Sequence, residues 1–322
     1  MQTRSDVVSA CAEQILETLR QVVVGKDSVL LWTLAAILAR GHILLEDIPG
    51  VGKTTMALAF AKAMDLEQNR IQFTPDVLPS DITGFTMYRK ETGEFVYHPG
   101  AVMCNLFLAD EINRTTAKTQ SALLEVMEES AVTVDGVTRP VPEPFLVIAT
   151  ENPIGSAGTQ MLPESQLDRF MICTAMGYPD AVDEVRILEE QALDRPLTHV
   201  QKVISRQQLL LMQREVEQVY THPMVYQYIV ALSQATRQSP YLSLGLSPRA
   251  SLAAASMARA NAYLNGRKFT LPDDVQAIFK DVAQHRLRLS PQAQTERKSV
   301  DQVLDEILKT VKKPRAEVTN EK

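Results

Sequence analysis

The chain has 322 residues, 45% of them hydrophobic and 22% charged, with a formal net charge of −6. That length allows about two domains with a sizeable core, and the acidic balance argues against a dedicated nucleic-acid binder without excluding a local basic patch. Cys11, Cys104 and Cys173 lie far apart and the histidines show no ligand spacing, which excludes a sequence-evident metal cluster, and with no apolar stretch long enough to span a bilayer and no signal-peptide layout the cytoplasm is the expected location.

Apolar positions at helical spacing (Val8, Ala12, Ile15, Leu16, Leu19) predict a helix over 5–20. The short segment Val22-Val23-Val24-Gly25 follows, then a helix over 29–39 that reads as buried. Next, the apolar run Ile43-Leu44-Leu45 leads into Asp47-Ile48-Pro49-Gly50-Val51-Gly52-Lys53-Thr54-Thr55. A strand, a Gly-rich turn and Lys-Thr opening a helix to about residue 64 form the layout of a phosphate-binding loop. Gly50 and Gly52 let the backbone turn sharply, so that successive N–H groups and the helix N-terminus face an anion. Lys53 suits the β/γ-phosphates, and the Thr54 hydroxyl suits Mg²⁺. The motif is partial, because Asp47 stands where its first glycine is usual.

A second feature therefore matters. Leu106-Phe107-Leu108-Ala109-Asp110-Glu111 is an apolar run ending in two acids, which reads as a buried parallel strand with charge at its carboxyl end, where open α/β sheets bind ligands. Asp110 suits the outer shell of Mg²⁺, and Glu111 suits a base that polarises a water. Alone, the pair fits a buried strand followed by a capped helix. With the Gly-rich turn upstream, it describes a nucleotide hydrolase.

Further strands are predicted over 41–45, 70–73, 145–150 and 170–174, and the one ending at Asp110 over 105–109. Helical patterns separate most of them, including 116–129, so the expected fold is a parallel sheet covered on both faces. Two extended segments interrupt it, 93–97 with 81–87 before it, and 131–145. The latter holds Asp135-Gly136 between alternating β-formers, a hairpin signal. Both read as hairpins projecting outside the central sheet, with Val134-Asp135-Gly136-Val137 as a turn tip. Beyond residue 196 the pattern turns helical, over 205–219, 223–238, 248–264, 272–286 and 299–311. The expected division is an α/β core over 1–195 and an all-helical domain over 196–322.

Three polar residues stand out downstream. Asn152 ends the strand Ile148-Ala149-Thr150-Glu151 before Pro153, a pattern that also fits an ordinary turn. Arg169, between Asp168 and Phe170, fits half of a surface ion pair equally well. Arg249 follows Ser247-Pro248, the N-cap and first position of a helix. A cation in the first turn opposes the helix dipole; it makes sense if it reaches an anion, and the alternative is a tolerated exposed arginine. His285-Arg286-Leu287-Arg288 reads as a solvated helix end, and 312–315 as a solvated tail.

With Leu45-Glu46-Asp47-Ile48-Pro49-Gly50-Val51-Gly52-Lys53-Thr54, Leu108-Ala109-Asp110-Glu111-Ile112-Asn113-Arg114 and Leu162-Pro163-Glu164 together, nearly the whole chain resembles the MoxR family of AAA+ ATPases. In that family Asp47 commonly replaces the first glycine, whereas Glu151 stands where a Gln is usual. The resemblance implies an αβα nucleotide-binding core with hairpin inserts and a helical lid, hydrolysing ATP with Mg²⁺. It implies nucleotide contacts from Val24 and Gly25 and from Pro49, Gly50, Val51, Gly52, Lys53, Thr54 and Thr55, with Thr54 and Asp110 on the metal. It implies Glu111 as the catalytic base, Asn152 as the sensor of the attacking water, Arg169 as an arginine finger acting on a neighbouring subunit's ATP, and Arg249 as the lid's sensor of its own nucleotide. It further implies a homo-oligomeric, hexameric ring that remodels, assembles or matures protein clients, with a von Willebrand factor A domain protein as a possible partner.

Two rivals are weaker. Asp81-Ile82-Thr83-Gly84 imitates the DxxG of GTP-operated switches, but no Asn-Lys-x-Asp reads guanine. A DNA-translocating motor would use similar hairpins, but Arg139 is the base nearest Asp135-Gly136 and no dense Lys/Arg accompanies it.

Overall fold

The computed structural model describes residues 4–48, 50–152, 161–193 and 196–314. They belong to two compact units, 1–213 and 214–322. The first unit opens with α1 (Arg4–Arg20) and α2 (Asp27–Leu38), then β1 (Ile43–Glu46), α3 (Lys53–Ala63), β2 (Gln68–Gln72) and the single turn α4 (Pro79–Thr83). A hairpin of β3 (Gly84–Arg89) and β4 (Glu94–Pro99) leads to β5 (Leu106–Asp110) and α5 (Ala117–Glu129). A second hairpin, β6 (Ala131–Val134) and β7 (Val137–Pro140), precedes β8 (Leu146–Glu151), α6 (Glu164–Leu167), β9 (Ile172–Thr174) and α7 (Ala181–Leu193).

Five strands form one parallel sheet in the order β2-β5-β8-β1-β9. Every residue of β5 and β8 is buried, as expected of strands covered on both faces. At one edge, β2 alternates exposed and half-buried positions. Phe73, Phe107, Leu123, Val147 and Phe170 pack into the same buried cluster. This order brings the carboxyl ends of β1, β8 and β5 side by side, where the predicted site residues lie. His42, at the start of β1, is structural. Its Nδ1 accepts the Val147 N–H at 3.0 Å, its Nε2 meets the Met127 carbonyl at 3.0 Å, and burial pushes its pKa down to about 4.

The two inserts are separate two-stranded sheets. Asp135 (φ 52°) and Gly136 (φ 75°) make the two-residue turn of β6–β7 with both residues left-handed, the backbone that an Asp-Gly hairpin favours. The tip is open, but Val132 at the base is 1% exposed and belongs to the core. The Tyr97 hydroxyl donates to the Thr83 carbonyl at 2.7 Å, and the Arg139 guanidinium lies 4.0 Å over the Tyr97 ring, tying one hairpin to the other.

Two local expectations need correction. The segment 81–87 is not extended throughout: Pro79 opens α4, and the Asp81 carboxylate accepts the Leu78 N–H at 2.8 Å, closing a helical turn before β3 begins. The second is an omission: no helix is expected over 181–193, yet ahead of α7 Asp180 Oδ1 accepts the N–H groups of Val182 and Asp183 at 2.9 and 2.8 Å, capping a helix there.

The unit boundary falls within α8 (Arg206–Glu217). The second unit continues through α9 (Pro223–Gln238), β10 (Leu242–Leu244), α10 (Pro248–Leu264), α11 (Pro272–Ala283), β11 (Arg288–Leu289), α12 (Pro291–Thr295) and α13 (Val300–Thr310). Among its described residues it is helical apart from an isolated bridge, Tyr220–Phe269, and the short antiparallel ladder β10–β11, whose strands are too brief to show an alternating pattern. Asp274, 2% exposed, joins α10 to α11: it accepts two N–H groups of Arg267 at 2.7 and 2.5 Å, Asn261 Nδ2 at 2.8 Å and the Leu271 N–H at 2.7 Å. Arg286 is 4% exposed rather than solvated. Its guanidinium reaches back to the Val282 carbonyl at the end of α11, so the helix terminus satisfies the donor while the aliphatic stem packs inward.

Candidate active site

The turn after β1 reverses tightly. Gly50 and Gly52 have φ of 85° and 93°, and Gly52 is the left-handed residue capping α3. A side chain there would strain the backbone. Asp47, 7% exposed, braces this turn: its carboxylate accepts the Gly177 N–H at 2.6 Å and the Ile48 N–H at 2.8 Å, and its own N–H donates to the Glu151 carbonyl at 3.0 Å. This gives a physical reason for Asp in place of the first glycine. It supplies an acceptor that fastens the loop to the segment after β9. Lys53 Nζ donates to the Asp47 carbonyl at 2.6 Å. Burial lowers the Lys53 pKa, and the charges of Asp47, Asp110 and Glu111 oppose that shift.

On β5, Asp110 is 8% exposed and held from several sides. Thr150 Oγ1 donates to its Oδ1 at 2.6 Å, while Arg70 Nη2 and Thr54 Oγ1 reach Oδ2 at 2.6 and 3.4 Å. Glu111 leaves the strand with φ 56°, a left-handed conformation for a non-glycine residue of the kind that clusters at functional sites. Its N–H donates to Thr150 Oγ1 at 2.8 Å, and its carboxylate pairs with Arg114 at 2.6 Å. Asn113 Nδ2 donates to the Asn152 carbonyl at 3.0 Å.

Gly50, Gly52, Lys53, Thr54, Thr55, Asp110, Glu111 and Asn152 line one cavity of about 350 Å³, together with Arg70 and Gln72. The last two were missed from sequence. They alternate along the edge strand β2, and the only available signal was polar residues at the carboxyl end of a strand. Val51 is half-buried in the same turn but does not line the cavity, and Pro49 lies outside the described residues.

Val24 is buried, and Gly25 (φ 70°) packs so tightly on α7 that a Cβ there would sit 1.7 Å from Asp183 Oδ2. Neither lines the cavity. Arg169 also lies outside it and is held within its own chain. Nη1 donates to the Leu124 carbonyl at 2.6 Å, and Nη2 pairs with Glu128 at 3.0 Å. Arg249 is exposed in the first turn of α10 in the second unit, where Ser247 Oγ caps the helix by accepting the Ala250 N–H at 3.1 Å.

Beneath this edge, Glu151 is 2% exposed, sits in register with Glu46 and has no partner for Oε1. Burial, and then the charge of Glu46, push its pKa up to about 7, partly offset by a backbone hydrogen bond from Leu162.

Residues 42–172 match the family described as ATPase family associated with various cellular activities (AAA), and residues 234–307 match the AAA lid domain. The chain is 47% identical over 299 residues to YeaC, an uncharacterised protein of Bacillus subtilis, covering 93% of each. It is 39% identical over 311 residues to Chaperone MoxR1 of Mycobacterium tuberculosis, covering 94% of this chain and 82% of that one. The crystal structure of a candidate ATPase from Cytophaga hutchinsonii matches with a TM-score of 0.89 at 36% identity, covering 97% of both chains.

Proposed function

The chain belongs to the MoxR family of AAA+ ATPases, and on that premise we propose that it spends ATP hydrolysis on remodelling, assembling or maturing partner protein complexes. Its enzymatic activity is that of an ATPase. The observation that carries the site assignment is the convergence of Lys53, Thr54, Asp110, Glu111 and Asn152 on one cavity. In this reading the Gly50–Thr55 backbone cradles the phosphates and Lys53 pairs with the β- and γ-phosphates. Glu111 takes the proton of the attacking water, and Asn152 helps to hold that water in line.

Thr54 Oγ1 and Asp110 Oδ2, 3.4 Å apart, are the oxygen donors that a hard cation takes. They suit Mg²⁺, which keeps several waters and draws its remaining ligands from phosphate. Bound there, the ion supplies charge neutralisation at the phosphates. Thr150 keeps the Asp110 carboxylate aimed at that position.

The wider assembly follows the same reading. Residues 1–195 act as the core and 196–322 as the lid, in a hexameric cytoplasmic ring. Val24 and Gly25 border the nucleotide, Arg169 serves the neighbouring subunit's ATP, and Arg249 reports the nucleotide to the lid. The two hairpins face the client, and a von Willebrand factor A domain protein fits as partner. The relative Chaperone MoxR1 is named a chaperone, which supports the remodelling part. A nucleic-acid client fits less well, since the hairpin base Arg139 is engaged by Tyr97.

The test is ATP hydrolysis by the purified chain. Lys53→Ala should abolish nucleotide binding, and Glu111→Gln should bind ATP but not turn it over. Near wild-type hydrolysis by Glu111→Gln would overturn the assignment.

A further inference from the structure

Arg70 has no part in the roles assigned above, yet it lines the same cavity as Lys53 and Thr54. It lies on the edge strand β2, opposite Leu108 and two rungs from the pair Gln72–Asp110. Its Nη2 reaches Asp110 Oδ2 at 2.6 Å, nearer than the Thr54 hydroxyl at 3.4 Å. Asp110's side chain is 11% exposed and needs a counter-charge, while Arg70's is 44% exposed. A guanidinium carries five N–H donors in a planar fork suited to phosphate as well as carboxylate. Asp110 is thus a carboxylate with two claimants: the guanidinium that contacts it, and the cation that the proposed function assigns to Thr54 and Asp110.

Resting on that reading, we infer that Arg70 is a phosphate-binding residue of this cavity, which exchanges Asp110 for the terminal phosphate of ATP. With a divalent cation held at Thr54 and Asp110, the carboxylate would have its counter-charge without Arg70, and the guanidinium would be free to turn from Oδ2 to phosphate. Arg70 enters the cavity at Asp110, beside Thr54 and on the side where the proposed function puts the cation and the β- and γ-phosphates, so the γ-phosphate is the anion assigned to it. ADP lacks that group, so Arg70 should separate ATP from ADP rather than strengthen both. The contrast with Arg114 is informative. Arg114 holds Glu111 at 2.6 Å but is not among the residues lining the cavity.

The experiment removes the structural role first. In an Asp110→Asn chain there is no carboxylate left for Arg70 to neutralise. Unlabelled ATP and ADP compete against a fluorescent ADP analogue in EDTA, on full-length Asp110→Asn and on Asp110→Asn/Arg70→Met. The expected result is that losing Arg70 lowers ATP affinity about tenfold or more, the loss typical of one hydrogen bond to a charged group. ADP affinity should stay within about twofold. An unchanged ATP-to-ADP ratio overturns the inference, whether both affinities persist or both fall together. The underlying reading fails separately, if the unmodified chain binds neither nucleotide or if Lys53→Ala binds as well as wild type.

Discussion

Replacing Glu151 by glutamine keeps the shape of a buried side chain at the end of β8 and removes its ability to ionise. The carboxyl is 2% exposed, lies in register with Glu46 and is pushed up to about 7 from 4.5, chiefly by burial. The folded chain therefore keeps a proton that the unfolded chain releases between those two values. Stability from this group is fully present below pH 4.5 and is lost as pH rises through about 7. At about 1.4 kcal/mol per pH unit, the interval corresponds to about 3–4 kcal/mol. Glutamine does not titrate, and the groups that do not face position 151 contribute equally to both proteins, leaving Glu46 as the neighbour whose surroundings change. The unfolding free energy of Glu151→Gln minus that of wild type should grow by about 2–3 kcal/mol from pH 5 to pH 8.5. Equilibrium urea unfolding at a series of pH values measures it. A difference that stays flat with pH, or shrinks, would refute the claim that Glu151 is protonated in the folded chain near neutrality.

Arg169→Ala should leave ATP affinity roughly intact while turnover falls by about 10²–10⁴, in the range of arginine fingers. Mixing these subunits with Glu111→Gln subunits should restore part of the activity; no rescue in demonstrably mixed assemblies, or a loss of stability with turnover intact, would reduce Arg169 to its ion pair with Glu128. Asp274→Ala strips the acceptor from Arg267, Asn261 and the Leu271 N–H together, and should destabilise the second unit by about 3 kcal/mol or more. A loss below about 1 kcal/mol in chemical unfolding would contradict that network's role. Closing the β6–β7 ladder at the Val132–Arg139 pair with an Asn-Gly turn spares the buried Val132. The melting temperature should stay within about 4 °C and ATPase activity should persist while client remodelling is lost. A joint fall in stability and ATPase rate would instead make the hairpin a brace for β8.

The inner strands β1 and β5 were legible because they are short apolar runs ending in chemistry. Ile43-Leu44-Leu45 before the Gly-rich turn and Leu106–Ala109 before two acids are signals carried by neighbouring residues. What stayed hidden depends on contacts distant in sequence. Arg70 sits on an edge strand with alternating exposure, and nothing adjacent to it announces Asp110; only the β2–β5 pairing brings them together. Asp47 was visible as a departure from the motif, but its acceptor role needs the Gly177 N–H, which arrives after β9. The α4 turn was misread because Ile82 and Thr83 are β-formers, and the cap from Asp81 outweighed them. For Arg169 the ion-pair alternative read from sequence is present, with Glu128; action across a subunit boundary is compatible with that pair and independent of it.

A neutral threonine joins the two acids that motif reading treats as a pair. Thr150 Oγ1 donates to Asp110 Oδ1 and accepts the Glu111 N–H, so one hydroxyl on β8 sets the orientation of one carboxylate and the left-handed turn of the other residue. In return, Asn113, just past β5, donates to the Asn152 carbonyl and holds the end of β8. The two strand ends thereby fix each other through a neutral hydroxyl and a neutral side-chain amide. In the proposed function Asp110 faces a cation and Glu111 a water, and on a regular strand adjacent positions would point to opposite faces. The left-handed residue at Glu111 breaks that alternation, and the buried Thr150 hydroxyl, satisfied on both sides, makes the strained conformation affordable. Local sequence names the acids, but their usefulness as a pair rests on the register Ala109–Ala149 that sets β5 beside β8 and brings Thr150 level with Asp110.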